Sequence, residues 1–308
     1  MTSDRLEKVG LYLSVGSALF MSILGISFGV AIASDAILLD GFFNVVTFLM
    51  AIVTLWIAWL QKQPENDQFH FGYLSFVPLV NLVKSLLVLL LSLFALFSAI
   101  STLLHGGRNL NASVAVIYAI IAASGCLITA LIQRKLEQKT QSVMLHVDGK
   151  NWMINGLISL SVGIAFSLVN LIKNTNLAWF VPYADSTIVA LIVFITLPVP
   201  IQLIGRNLHQ LLLGAPKKEI QHRIRNIFTV AAKDFVFQKY WLRITQIGNT
   251  VFVSIYWLLP QDYPLKNIQE LDEIRDQIAT ALNQEFHDLI VDVIFTQDAK
   301  WGEDLSIN

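Results

Sequence analysis

Six long apolar runs dominate the chain, at about residues 10–33, 36–60, 76–104, 112–133, 143–172 and 184–205. A helix needs about 20 mostly apolar residues to cross a bilayer's hydrocarbon core, and each run reaches that length. Lipid offers the backbone no hydrogen-bond partner, so such segments cross as helices that satisfy their own amides and carbonyls. Six membrane helices are expected. The first run does not read as a cleaved leader. The MTSDRLEKV ahead of it has no net positive charge, and the apolar stretch exceeds the ~7–15 residues of a signal core. It is expected to be retained.

Charge is distributed unevenly along the chain. The 206 residues up to Arg206 carry 20 charged side chains, and the 102 that follow carry 23. A transmembrane domain over residues 1–208 and a soluble domain over 209–308 is the direct reading. The whole chain is 14% charged, against roughly 25% for soluble proteins. Arg5, Lys8, Lys62, Arg134, Lys135, Lys139, Arg206, Lys217 and Lys218 fall on one side of a six-span arrangement, and only Arg108 and Lys173 on the other. The positive-inside bias then places both termini in the cytoplasm, a topology that suits a bacterial inner membrane. A net charge of −1 gives no footing for nucleic acid. Cys126 is the single cysteine, so the chain can build neither an internal disulfide framework nor a thiolate metal cluster.

After Ala215-Pro216 the pattern changes. Residues 217–232 and 265–286 carry apolar residues at helical spacing. Residues 240–259 are rich in β-branched and aromatic side chains and are broken by Gly248-Asn249, a hairpin signal, and DLIVDVIFT (288–296) reads as a last strand. The order α-β-β-α-β predicts a small ferredoxin-like α+β layer with helices on one face of a sheet. Phe235, Phe237, Tyr240, Trp241, Phe252, Tyr256 and Trp257 serve either its core or an interface.

Polar residues inside the apolar spans limit what the membrane half can do. Asp40 and Asn44 lie one above the other on a helix face, in LLDGFFNVV. An aspartate near the bilayer centre costs about 2.5–3.5 kcal/mol on insertion scales, so it needs a partner or a task. Asp148, Asn151 and Asn155 form a stripe at the entry to span five, beside His146. Carboxylate and amide oxygens from two helices make a cage able to hold a cation. Structure alone is the competing reading, since polar residues also join membrane helices by hydrogen bonds. Asn81, Ser85 and Ser92 suit that reading; Lys84 is expected to pair with Asp185 or a lipid headgroup, and Asp35 to cap span two.

The segments LLDGFFN, FGYLSFVPLVNLVKSLLVLL, HVDGKNWMINGLIS and YADSTIVALIVFITLPVPIQLIGRNLHQLLLGAP, in this order and followed by the α-β-β-α-β half, resemble the cation diffusion facilitator family of divalent-metal transporters. The resemblance implies a homodimeric six-helix antiporter that exports a metal ion against protons, the cargo being Zn, Mn, Fe, Co or Cd. It implies a site of two residues at i, i+4 on helix two, matching Asp40 and Asn44, and two on helix five, matching Val147 and Asn151. Valine cannot bind metal, so Asp148 or Asn155 becomes the fourth contributor. That departure leaves one or two carboxylates where the family pattern has four His or Asp ligands. A transport-inactive scaffold or regulatory partner is the alternative it raises. The histidine expected after the FG pair is replaced by Tyr73, with Asp67 and His70 nearby, and the last strand ends Thr296-Gln297-Asp298 without its histidine. His222 and His287 read as solvated surface residues. No HExxH occurs, and an enzyme is not expected.

Overall fold

The structure is a computed structural model that describes residues 3–60, 63–64, 66–107, 112–140, 143–248, 250–265, 267–286 and 288–303. Lys62, Arg108, Asn249 and His287, which enter the sequence reading, lie outside the described residues, as does the side chain of Val147. Nine α-helices and three strands are described: α1 (Ser3–Ile32), α2 (Asp35–Leu60), α3 (Phe76–Leu104), α4 (Ala112–Thr140), α5 (Val143–Ile172), α6 (Ala184–Thr196), α7 (Pro198–Leu211), α8 (Lys218–Ala231), β1 (Lys239–Ile247), β2 (Thr250–Leu258), α9 (Ile268–Asn283) and β3 (Leu289–Thr296). The chain divides into two compact units, Met1–Trp59 with Val83–Ile204, and Leu60–Leu82 with Gly205–Asn308.

Six stretches among the described residues are long and apolar enough to cross a membrane, the last running from Ala178 to Leu211. That sixth span was expected as one helix over 184–205. It is instead interrupted: α6 ends at Thr196 and α7 starts at Pro198, where the ring removes a backbone N–H. The fourth helix continues to Thr140, so Arg134, Lys135 and Lys139 lie on helix rather than loop. Hydroxyls on the spans are satisfied locally. Thr47, Ser92, Thr102, Thr129, Ser161, Ser167, Thr187 and Thr196 each donate to the carbonyl four residues earlier.

In the first unit, α4 packs against α1 and α5 through small residues. Ala115, Ala122, Cys126 and Ala130 are buried there with Met21, Trp152 and Phe166. Without a hydrophobic drive between helices in lipid, close approach of small side chains supplies the packing energy.

The α1–α2 connection shows how the start of α2 is fixed. α1 ends in a Schellman arrangement, with Ser34 N–H donating to Gly29 O (3.0 Å), Ala33 N–H to Val30 O (3.3 Å) and Ala33 left-handed at φ 54°. Ser34, not Asp35 as expected, is the N-cap, accepting from Ile37 N–H at 3.3 Å. Asp185, from the first turn of α6, turns to the same helix end. Its carboxylate accepts from Ser34 Oγ (2.6 Å), Asp35 N–H (2.8 Å) and Ala36 N–H (3.4 Å). A carboxylate complements the positive end of the α2 dipole, so Asp185 ties α6 to the start of α2 and is not the partner of Lys84. Asp35 in turn accepts from Ser98 Oγ of α3 at 3.0 Å.

The second unit contains a three-stranded sheet in the order β1-β2-β3, with β1–β2 antiparallel and β2–β3 parallel. Gly248, at φ 61°, supplies the positive backbone angle of the β1–β2 turn. Ile224 and Phe228 of α8 and Ile274, Ile278 and Leu282 of α9 cover one face of the sheet. Four of the seven aromatics that offered an interface belong to that core: Phe235, Phe237 and Tyr240 pack round the fully buried Trp257 with Phe228. Trp241, Phe252 and Tyr256 have the opposite parity and are half-buried. Part of that other face is covered by the chain's own end, because Arg243 lies over the Tyr256 ring (4.5 Å) and donates to the carbonyls of Gly302 (3.2 Å) and Glu303 (2.8 Å).

Replacing Asp185 by Ala leaves buried donors at the start of α2 without their acceptor. The expected loss is about 2–3 kcal/mol, read as a lowered unfolding midpoint in detergent.

Candidate functional site

Asp40 lies on the second turn of α2, where that helix crosses α1. A Cβ added to Gly25 would sit 2.6 Å from Gly41 Cα and 3.0 Å from Tyr118 Oη, so only glycine permits the crossing. The Gly25-x-x-x-Gly29 spacing is the sequence signal for such a contact. The room it makes is used by Tyr118 of α4, which is 3% exposed and donates its hydroxyl to Asp40 Oδ2 in a short hydrogen bond. The ring is braced by Phe28 at 5.7 Å between centroids. The sequence reading missed Tyr118, because one tyrosine in an apolar run has no local signature.

Asp40 borders a cavity of about 400 Å³ within the first unit. Besides Asp40 and Tyr118, its polar lining is Asn44 and Thr47 of α2, Ser92 of α3, Asn155 and Ser159 of α5, and Thr196 of α6. Apolar residues such as Phe43, Val88, Ile158 and Val189 form the rest. Of the five residues singled out in the sequence, three therefore meet here: Asp40, Asn44 and Asn155.

The other two lie elsewhere. The α5 residues that line the cavity run from Ile154 to Val162, and Asn151 is exposed below them. Asp148 belongs to a polar layer between α1, α4 and α5. It accepts from Gln133 Nε2 at 2.9 Å, and the same nitrogen donates to Gly10 O at 2.8 Å. Ser14 bonds to Asp148 and accepts from Trp152 Nε1 at 2.6 Å. Lys84 of α3 lies within electrostatic reach of Asp148, the charged neighbour it has in place of Asp185. His146 pairs with Glu137 at 2.7 Å, and His222 is exposed.

Four of the hydroxyls round the cavity share one chemical property. Asn44 Nδ2 donates one hydrogen to Asp40 O (2.8 Å), which leaves the amide oxygen and a second N–H. Thr47 donates to Phe43 O (2.9 Å), Ser92 to Val88 O (2.8 Å), Thr196 to Ile192 O (2.8 Å) and Tyr118 to Asp40. The hydroxyl hydrogens of Thr47, Ser92, Thr196 and Tyr118 are committed and their lone pairs are not, while Asn44 keeps one N–H beside its oxygen. With the carboxylate, they form an acceptor surface, suited to a cation or to groups that donate. Among the described residues no group of three or more His, Cys, Asp or Glu is placed to hold a metal.

Six stretches long and apolar enough to cross a membrane, five of which line a cavity bearing one acid and several oxygen acceptors, define a multi-pass integral membrane protein with the features of an ion transporter. The sequence bears this out: residues 11–212 match the family model of the cation efflux transmembrane domain, and the chain belongs to the cation efflux family, whose members are transporters of divalent metal cations rather than enzymes. No curated protein matches the chain significantly.

The glycine crossing gives a direct test of the geometry. Gly25→Leu forces α1 and α2 apart and displaces Asp40 from Tyr118, so cation flux into proteoliposomes is expected to be lost. Gly16→Leu, at a position with nothing within 4 Å of an added Cβ, is expected to leave flux and yield unchanged.

Proposed function

We propose that this protein exports a divalent metal cation from the cytoplasm in exchange for protons, with Asp40 as the residue that carries either one. The observation that carries this reading is the single carboxylate, with a few oxygen acceptors, in a largely apolar cavity within the membrane unit. A carboxylate charge inside a low-dielectric bundle has to be compensated, and one hydrogen bond from a tyrosine does so only in part. A cation or a proton completes the compensation, and the two compete for the same oxygens. Binding of one then requires release of the other, which is the chemical basis of exchange.

In this scheme Asn44 and Asn155 supply neutral amide oxygens, while Ser92, Thr47 and Thr196 add hydroxyl oxygens. None of these titrates, so the cavity exchanges one proton at Asp40 for each ion bound. Alternating exposure of the site follows from helix rearrangement round it, and the break between α6 and α7 beside Thr196 and Pro200 is a natural hinge. The bias of basic residues supports cytoplasmic termini, a topology that suits a bacterial inner membrane. A homodimer is the proposed assembly, and the half-buried Trp241, Phe252 and Tyr256 on the sheet face away from α8 and α9 support it.

The test uses purified full-length protein in proteoliposomes, with cation uptake followed across an imposed pH gradient. Flux is expected to rise when the trans side is acidic and to collapse with the gradient. Asp40→Asn is expected to reduce it to the level of protein-free vesicles, and Asn44→Ala to raise KM about tenfold. Wild-type protein that moves no metal ion at any gradient would favour a scaffold role instead.

A further inference from the structure

We infer that the cation in this cavity is a hard divalent ion that keeps its inner water shell, with Mg²⁺ as the representative and Mn²⁺ as the near relative. This rests on the reading of Asp40 as the cation site and names the class of cargo. Three observations converge on it.

The first is the direction of the hydrogen bonds. Asn44, Thr47, Ser92 and Thr196 all spend a hydrogen on a carbonyl of their own helix, and Tyr118 spends its hydrogen on Asp40. The four hydroxyl groups have only oxygen lone pairs left to offer, and Asn44 offers its amide oxygen along with one N–H. Water bound to a cation turns its oxygen to the metal and donates both hydrogens outward. A hydrated cation is thus a shell of donors, and a ring of acceptors is its complement.

The second is the donor chemistry. Zinc takes His, Cys and carboxylate ligands that converge at about 2.0–2.3 Å. The lining contains no His or Cys, and its single carboxylate already holds a tyrosine on one oxygen. Mg²⁺ dehydrates reluctantly and is held through one or two carboxylates while it keeps several waters.

The third is size. Six waters at about 30 Å³ each occupy roughly 180 Å³. The cavity of about 400 Å³ takes that shell with space to spare, whereas a stripped ion would leave most of the lining out of reach.

Hexaamminecobalt(III) tests this, because it has the size and outward donors of a hexahydrated ion and cannot shed its ligands. Flux of Mg²⁺, Mn²⁺, Zn²⁺, Cd²⁺, Na⁺ and K⁺ into proteoliposomes is measured with the full-length protein, with and without the cobalt complex. Mg²⁺ and Mn²⁺ are expected to move, and the complex is expected to inhibit them competitively. Ser92→Ala and Thr196→Val are each expected to raise KM for Mg²⁺ about tenfold at unchanged maximal rate, with Thr196→Ser restoring it. Preferential Zn²⁺ or Cd²⁺ flux that the complex does not inhibit overturns the hydrated cargo but keeps Asp40 as the site. Flux confined to Na⁺ or K⁺ overturns the divalent class. Flux that survives intact in Asp40→Asn overturns the site itself.

Discussion

A carboxylate inside an apolar helical bundle has no water to solvate it, and how the protein answers that cost organises the membrane half. Asp40 is reached by the hydroxyl of Tyr118, which itself fits only because Gly25 and Gly41 bring α1 and α2 together. The hydroxyls of Thr47, Ser92 and Thr196 spend their hydrogens on their own helices, which leaves the negative charge open to a positive partner. Helix crossing, tyrosine and cavity are thus consequences of one electrostatic requirement.

The two membrane aspartates seen most readily in the structure solve the same problem in opposite ways. Asp185 is buried and fully engaged by the start of α2, where three donors and the helix dipole absorb its charge. It is structural, and nothing is left for a ligand. Asp40 receives one donor and borders a cavity. The number and kind of partners, not depth in the bilayer, separate a cap from a candidate carrier. Asp148 lies between these cases, held by Gln133 and Ser14 with Lys84 near, and it ties α5 to α1 and α4.

Membership in the cation efflux family and the donor set of this chain point to different ions. The family carries divalent metals, and the cluster of His and Asp that would strip and hold zinc is not found among the described residues. The proposed hydrated cargo reconciles the two, since a hard ion can be handled through its waters. In the proposed exchange, a single carboxylate binds a single proton.

Much of the architecture was legible in the sequence, because length, apolarity and period are local properties. They determined the six spans, the α-β-β-α-β order and the singular position of Asp40 with Asn44 one turn on. Of the α5 stripe read from the sequence, the cavity takes Asn155 and leaves Asn151 and Asp148 about 6 and 10 Å along the axis. Helical periodicity gives the face of a helix and not how far it is slid along its neighbours. That register is set by non-local contacts, such as Gly149 against Gln133 and Gly156 against Leu127. Tyr118 as the partner of Asp40, Asp185 as the cap of α2, and the burial of Trp257 likewise depended on which helices and strands meet. Only the tertiary structure decided them, because each joins residues far apart in the chain whose pairing no local pattern encodes.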